Sequence, residues 1–335
     1  MLRPLLLFTF ALGFPWTAAA QVEERASTGA LPAHAAGVFE EIAACHLTAA
    51  GTYLIFDRRA HAVYTFDRGT DVPRKIVQIG SETGRIIRPI AFDSGPDGTF
   101  VVADVPGDQR RLQFFTASGS ALGGFTMVGR PVPLITFGNM TLSGLGSLKY
   151  TGRSILLSQP DTGALVTEYG LNGAPLRAIG ELRPTGQEKD RAVHEALNLG
   201  LGLPIPGGGY YFVFLSGVPM FRKYDAAGKL VFERHIEGPE VDPFMSQMPR
   251  TWGRRRTEDG EIPLVPSTIR TAGVDRDGNL WISLVVPFTY VYDKTGEKRH
   301  TLQFRAAGII APSSFFFTAD AHVLVAPGCY SFTVK

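Results

Sequence analysis

His194 and Glu195 open the spacing by which a helix offers two histidines, one turn apart, to a zinc ion with the glutamate as general base. That chemistry needs a second histidine at position 198, where the chain has Asn198. The pair therefore reads as loop packing, or as part of a ligand-contacting surface. Asp275-Arg276-Asp277-Gly278-Asn279 begins like a calcium loop. Its twelfth position, where a carboxylate must close the coordination shell, is Val286, so a hairpin turn accounts for it better. No serine stands in a Gly-x-Ser-x-Gly setting, neither cysteine belongs to a Cys-x-x-Cys pair, and no glycine-rich loop precedes Gly228-Lys229. No residue is assigned a catalytic or metal-ligating role. Trp252 with Arg254-Arg255-Arg256, set among Pro249, Pro263 and Pro266, combines residue types enriched at interface hot spots. A solvated charge run is the alternative reading. Chemistry assembled at a ring axis from several repeats would leave no mark in spacing; His46 is one candidate for it, read here as a turn histidine.

The elements that must position these residues come from a repeat. A Gly-containing turn followed by a β-rich apolar run occurs at Gly51 with Tyr53-Leu54-Ile55-Phe56, Gly98 with Phe100-Val101-Val102, and Gly152 with Ile155-Leu156-Leu157. It returns at Gly209 with Tyr210-Tyr211-Phe212-Val213 and at Gly278 with Leu280-Trp281-Ile282, and a sixth copy has His322 before Val323-Leu324-Val325. The glycines are 47, 54, 57 and 69 residues apart. One four-stranded propeller blade with its loops needs roughly 40–50 residues. Second turns such as Asn172-Gly173 and Tyr292-Asp293-Lys294-Thr295-Gly296 supply positive φ and side-chain bonds for a hairpin into a fourth strand. The expected fold is all-β: a six-bladed β-propeller of four-stranded antiparallel blades.

Three long connections, 129–139, 181–194 and 238–266, fall between the fourth strand of one blade and the first of the next, so they should share one face of the disc. Within the second, Thr185-Gly186-Gln187-Glu188 has capping-box spacing, and Ala192, Val193, Ala196 and Leu197 make one stripe, which predicts a short helix. The sixth blade runs out of chain after a third strand. Segment 21–31 is expected to supply its missing outer strand and close the ring.

Met1-Leu2-Arg3-Pro4, an apolar run over 5–14 and Ala18-Ala19-Ala20 have the layout of a secretory signal peptide over 1–20. The run is half the length a spanning helix needs, about twenty residues. Residues 21–335 then form one exported domain, periplasmic or extracellular, not inserted in a membrane and monomeric. With 33 basic and 31 acidic residues, a net charge of +2 gives no electrostatic case for nucleic acid. Cys45 and Cys329 lie near the two ends of the array, and a bond between them would staple the ring. Strand order argues against it, placing Cys45 at a strand end and Cys329 in a turn near the opposite face.

Val274-Asp275-Arg276-Asp277-Gly278-Asn279-Leu280-Trp281-Ile282, followed by Val291-Tyr292-Asp293-Lys294-Thr295-Gly296, resembles the NHL-type repeat of bacterial six-bladed propellers. The units around Asp97-Gly98 and Tyr224-Asp225 match in part. The resemblance implies the propeller and no single activity, since similar proteins include peptide, protein and carbohydrate binders as well as lyases and lactone hydrolases. Two functions follow as expectations. The first is a non-catalytic binding or scaffold protein that recognises a protein, peptide or carbohydrate on its insertion-bearing face, with Trp252, Arg254, Arg255, Arg256, His194 and Glu195 as ligand-binding candidates and no cofactor. The second is a hydrolase or lyase assisted by calcium or zinc at the central channel.

Overall fold

The computed structural model describes residues 21–67, 69–70, 72–127, 134–137, 140–257 and 260–334, so the expected signal peptide over 1–20 lies outside the described residues. The chain is a ring of six blades. Blade 1 comprises Ile42–Leu47, Tyr53–Asp57, Ala62–Phe66 and Arg74–Val77, and blade 2 comprises Ala91–Ser94, Phe100–Asp104, Arg110–Phe115 and Ala121–Met127. Blade 3 is Lys149–Tyr150, Ser154–Leu157, Ala164–Gly170 and Pro175–Glu181; blade 4 is Gly200–Pro204, Tyr210–Phe214, Met220–Tyr224 and Leu230–His235. Blade 5 is Ile269–Val274, Leu280–Leu284, Thr289–Tyr292 and Lys298–Arg305, and blade 6 has three strands of its own, Ser314–Phe317, His322–Ala326 and Tyr330–Thr333.

Second strands such as Tyr53–Asp57, Phe100–Asp104 and Leu280–Leu284 are buried at every position. Neighbouring blades cover both of their faces, which is why they read as continuous apolar runs and not as an alternation. Outer strands such as Leu230–His235 are largely exposed. Blades adhere through aromatic contacts: Phe56 of blade 1 stacks on Phe92 at 5.5 Å, and within blade 2 Phe100 stacks on Phe115 at 5.1 Å. Asp275 spends its carboxylate inside its own hairpin, accepting from the Asn279 backbone at 2.8 Å and from the Trp281 indole at 2.9 Å. That is the hairpin reading of this segment.

The N-terminal segment closes the ring, but over most of its length it sits elsewhere than the outer edge of blade 6. Val22–Ala26 pairs in parallel with the outer strand of blade 5, from Val22 opposite Thr301 to Ala26 opposite Arg305. Only then does it cross to blade 6, where Thr28 donates to the Ser331 carbonyl at 2.7 Å and Ser331 donates to the Gly29 carbonyl at 2.8 Å. Strand length accounts for the preference: Lys298–Arg305 offers an eight-residue edge, whereas Tyr330–Thr333 offers four.

Cys45 and Cys329 are bonded, with Cα atoms 5.5 Å apart, contrary to the sequence expectation. Cys45 is not at a strand end. It lies inside Ile42–Leu47, and the turn after His322–Ala326 of blade 6 packs directly beside that strand.

The three inter-blade insertions share a face, and they touch one another. Thr136, in the first, donates to the Val265 carbonyl at 2.8 Å and accepts from the Ser267 amide at 2.8 Å. Ile135 is fully buried in a cluster with Val193, Leu197 and Val265, one residue group from each insertion. Helix α1 (Ala33–Ala36) precedes blade 1, α2 (Arg191–Leu197) is the predicted helix of the second insertion, and α3 (Asp242–Ser246) lies in the third. The cap of α2 is Asp190, which accepts from the Val193 amide, and not Thr185. Half of the Thr185–Glu188 box forms: the Thr185 amide donates to Glu188 at 2.7 Å, but the Thr185 hydroxyl accepts from the Gln187 amide at 3.2 Å, and the pair ties the loop ahead of the helix.

Candidate functional site

Above blade 4 the second and third insertions leave a pocket of about 530 Å³, within the range of small-molecule sites, roughly 300–1,000 Å³. One wall is Arg183 to Thr185 with Leu197 of α2, and the other is Met245 of α3 with Met248, Pro249, Arg250 and Trp252 beyond it. Blade 4 supplies the base through Gly217, Val218, Met220, Arg222, Glu233 and His235. Three thioethers and an indole give the lining an apolar surface that adapts to shape.

Arg183 is the buried charge of this pocket, 7% exposed. Its guanidinium lies 4.2 Å from the centre of the Phe214 ring and donates to the carbonyls of Val218 (2.9 Å), Leu197 (2.9 Å) and Ser216 (2.7 Å). No ion pair with a carboxylate compensates it among the described residues. Burial, with Arg222 nearby, draws its pKa down to about 10. Gly217 makes the approach possible: at φ +71°, a Cβ there would stand 2.9 Å from Arg183 Nη2. Arg222 also faces Phe214, 5.4 Å from the ring, and bonds Glu233 at 2.6 Å and the Glu181 carbonyl at 2.7 Å.

Of the residues singled out from sequence, Trp252 lines this pocket, half-buried. Arg254 does not. It pairs with Asp190, tying the third insertion to the cap of α2. Arg255 and Arg256 are exposed on the strand Arg254–Thr257, which pairs with Gly260–Pro263. His194 bonds the Thr185 hydroxyl at 2.7 Å, and Glu195 is buried and paired with Arg191 at 2.5 Å. The pocket thus gathers one of the six. Arg183, Arg222 and the methionines carried no signal in sequence, because the carbonyls that hold Arg183 lie 14, 33 and 35 residues away.

A second polar group lies where the innermost strands of blades 6, 1, 2 and 3 adjoin. His46 is not a turn residue: it is buried in the first strand of blade 1, stacked on Phe316 at 4.4 Å. Its Nδ1 bonds the Ser94 hydroxyl at 2.7 Å and lies 4.0 Å from Asp93, whose other oxygen is 3.8 Å from Lys149 Nζ. A serine–histidine–aspartate relay needs the two partners on opposite ring nitrogens, and here both approach Nδ1. Burial, then Lys149, draws the His46 pKa down to about 3, and burial pushes that of Asp93 up. His46 and Ser94 stand near the ends of strands that begin at the insertion-bearing face, so this group lies toward the other face.

The described residues define a six-bladed β-propeller with one roofed face. No family model matches the chain, and no curated protein does. Among solved structures it is similar to a streptogramin B lyase at 10% identity, over 90% of this chain and 94% of that one, with a TM-score of 0.50. A protein of unknown function from Bacteroides thetaiotaomicron VPI-5482 aligns at 12% identity over 92% and 74%, with a TM-score of 0.52. Both likenesses concern the fold alone. No helix among the described residues is long and apolar enough to cross a membrane.

Proposed function

We propose that this chain is an exported, NHL-like propeller, periplasmic or extracellular, that binds a ligand on its insertion-bearing face without transforming it. The pocket over blade 4 supports this reading. A propeller needs only short links between blades, and here two long ones converge to wall a cavity lined with methionine and tryptophan. The test is a thermal-shift screen of small amphipathic compounds and saccharides on the mature protein. A true ligand raises the melting midpoint of the wild type, and Trp252→Ala with Met248→Ala abolishes the rise while leaving the unliganded midpoint within about 3 °C. Stabilisation that survives both substitutions would place the ligand elsewhere.

The second reading is metal-assisted hydrolysis or elimination at the channel, favoured by the His46, Asp93 and Lys149 group. Among the described residues no three histidine, cysteine or acidic side chains stand together as ligands. Elemental analysis decides: one tightly held equivalent of calcium or zinc, lost with stability on chelation, would promote this reading over the first.

A further inference from the structure

The deep end of the blade 4 pocket is positively charged, and its charge is only half answered. Arg183 and Arg222 meet over the Phe214 ring, with side chains that are buried or nearly so. Among the described residues that line the pocket the carboxylate is Glu233, whose side chain is 36% exposed; it forms its ion pair with Arg222 and acts on Arg183 only through space. A guanidinium offers five N–H donors, and Arg183 commits three of them to carbonyls, leaving two. Buried charges in proteins are paired as a rule, because dipoles alone leave part of the desolvation cost uncompensated. Farther out, Met245, Met248 and Trp252 give an apolar wall, with Arg250 exposed at the rim.

From this arrangement, and resting on the binding reading above, we propose that the ligand is an amphipathic monocarboxylate. Its acid group would seat against Arg183 and Arg222, and its hydrocarbon body would lie along Met245, Met248 and Trp252. A single negative charge balances the deep end, where two arginines face one glutamate; a dianion would exceed it. Both Nη2 hydrogens of Arg183 serve carbonyls, so the carboxylate would accept a single charge-assisted bond from each arginine and not a fork from either.

Intrinsic fluorescence reads the site. With 1–20 removed, the chain keeps two tryptophans: Trp252 in the pocket and Trp281, 3% exposed in blade 5. Dodecanoate, dodecanol and dodecylamine are titrated into the mature protein below their micelle concentrations, with Trp252→Phe as the control for signal origin. Dodecanoate should bind about tenfold or more tighter than dodecanol, the worth of a charge-assisted hydrogen bond, and dodecylamine weakest. Glu233→Gln should tighten dodecanoate several-fold, on the order expected for removing a nearby like charge, and leave dodecanol unchanged. Equal affinity for the acid and the alcohol would overturn the carboxylate proposal while the pocket stands. A Trp252 signal that none of the three probes changes would overturn the pocket reading itself.

Discussion

The seam between blades 6 and 1 and the roof over blade 4 treat their buried polar groups in opposite ways. At the seam the thiols of Cys45 and Cys329 and the Nδ1 of His46 are spent within the protein. Cys45 bonds Cys329, the adjacent His46 stacks on Phe316 and meets Phe92 edge-on with Ser94 on Nδ1, and the N-terminal segment, after covering the edge of blade 5, bonds blade 6 through Thr28 and Gly29. Over blade 4, a buried arginine is held by carbonyl oxygens, has no ion-paired carboxylate among the described residues and faces a cavity. The first pattern is that of a closure. A charge buried without its counter-ion beside a cavity is the pattern on which the proposed site rests, since the stabilisation it lacks is what a ligand can supply.

Arg183→Met tests that contrast with the largest expected effect. Methionine keeps an unbranched stem against Phe214 but leaves the carbonyls of Leu197, Ser216 and Val218 without their donor. At about 1–3 kcal/mol for each unsatisfied buried group, the loss should exceed about 3 kcal/mol in denaturant unfolding. A variant as stable as the wild type would mean that water already serves those carbonyls, and the roof would then be no drier than a surface groove. Next in size is the seam disulfide, which joins positions 284 residues apart. Cys45→Ser with Cys329→Ser should cost about 2–5 kcal/mol, seen as a fall in midpoint under non-reducing conditions. If the double variant melts with the wild type, the seam is held by packing alone.

The six blades were legible in sequence because each second strand is covered on both sides, so its apolar run survives in the letters whatever else the blade does. Turn glycines such as Gly98 and Gly278, both at φ +80°, marked the hairpins for the same local reason. The contacts that make the seam and the site are not local. Cys45 was misplaced by the assumption that it ends its strand, an error of a residue or two that moves a side chain from one end of a blade to its middle. Asp190 went unrecognised as the cap of α2 because the Thr185–Glu188 spacing is sound, and its Thr185 amide does bond Glu188, only ahead of the helix and not at its start. Trp252 stood out as an aromatic among arginines. Arg183, which matters more to the pocket, lies between Leu182 and Pro184 with nothing near it in sequence to say that it folds under three distant carbonyls.

Removing 21–31 separates the two parts of closure. The strand Val22–Ala26 guards the edge of blade 5, and Thr28 and Gly29 carry the only backbone link onward to blade 6 among the described residues of this segment. A loss of about 1–3 kcal/mol is expected, a midpoint shift of several degrees for a domain of this size. Reduction of the disulfide should then destabilise the truncated protein more than the intact one, because both devices hold the same seam. Strict additivity of the two losses would show that they act on separate units.

The smallest effect at neutral pH, and the most discriminating as pH falls, belongs to His46. In the folded chain burial holds its pKa near 3, whereas an unfolded histidine takes a proton at about 6.5. Between those values the unfolded state binds the extra proton, so this residue's contribution to stability is complete above about pH 6.5 and is lost as pH falls toward 3. The slope is one proton's worth, about 1.4 kcal/mol per pH unit. Asp93 works in the opposite sense, because its raised pKa lets the fold hold a proton that the unfolded chain has released. Comparing the wild type with His46→Gln cancels that term. From pH 6.5 to 5 the wild type should lose about 2 kcal/mol more than the variant in urea unfolding. Parallel curves would show that His46 accepts a proton within the fold. The channel group would then be open to water and able to move protons, the seam would no longer differ in kind from the roof, and chemistry at the axis would gain the support that the geometry at Nδ1 withholds.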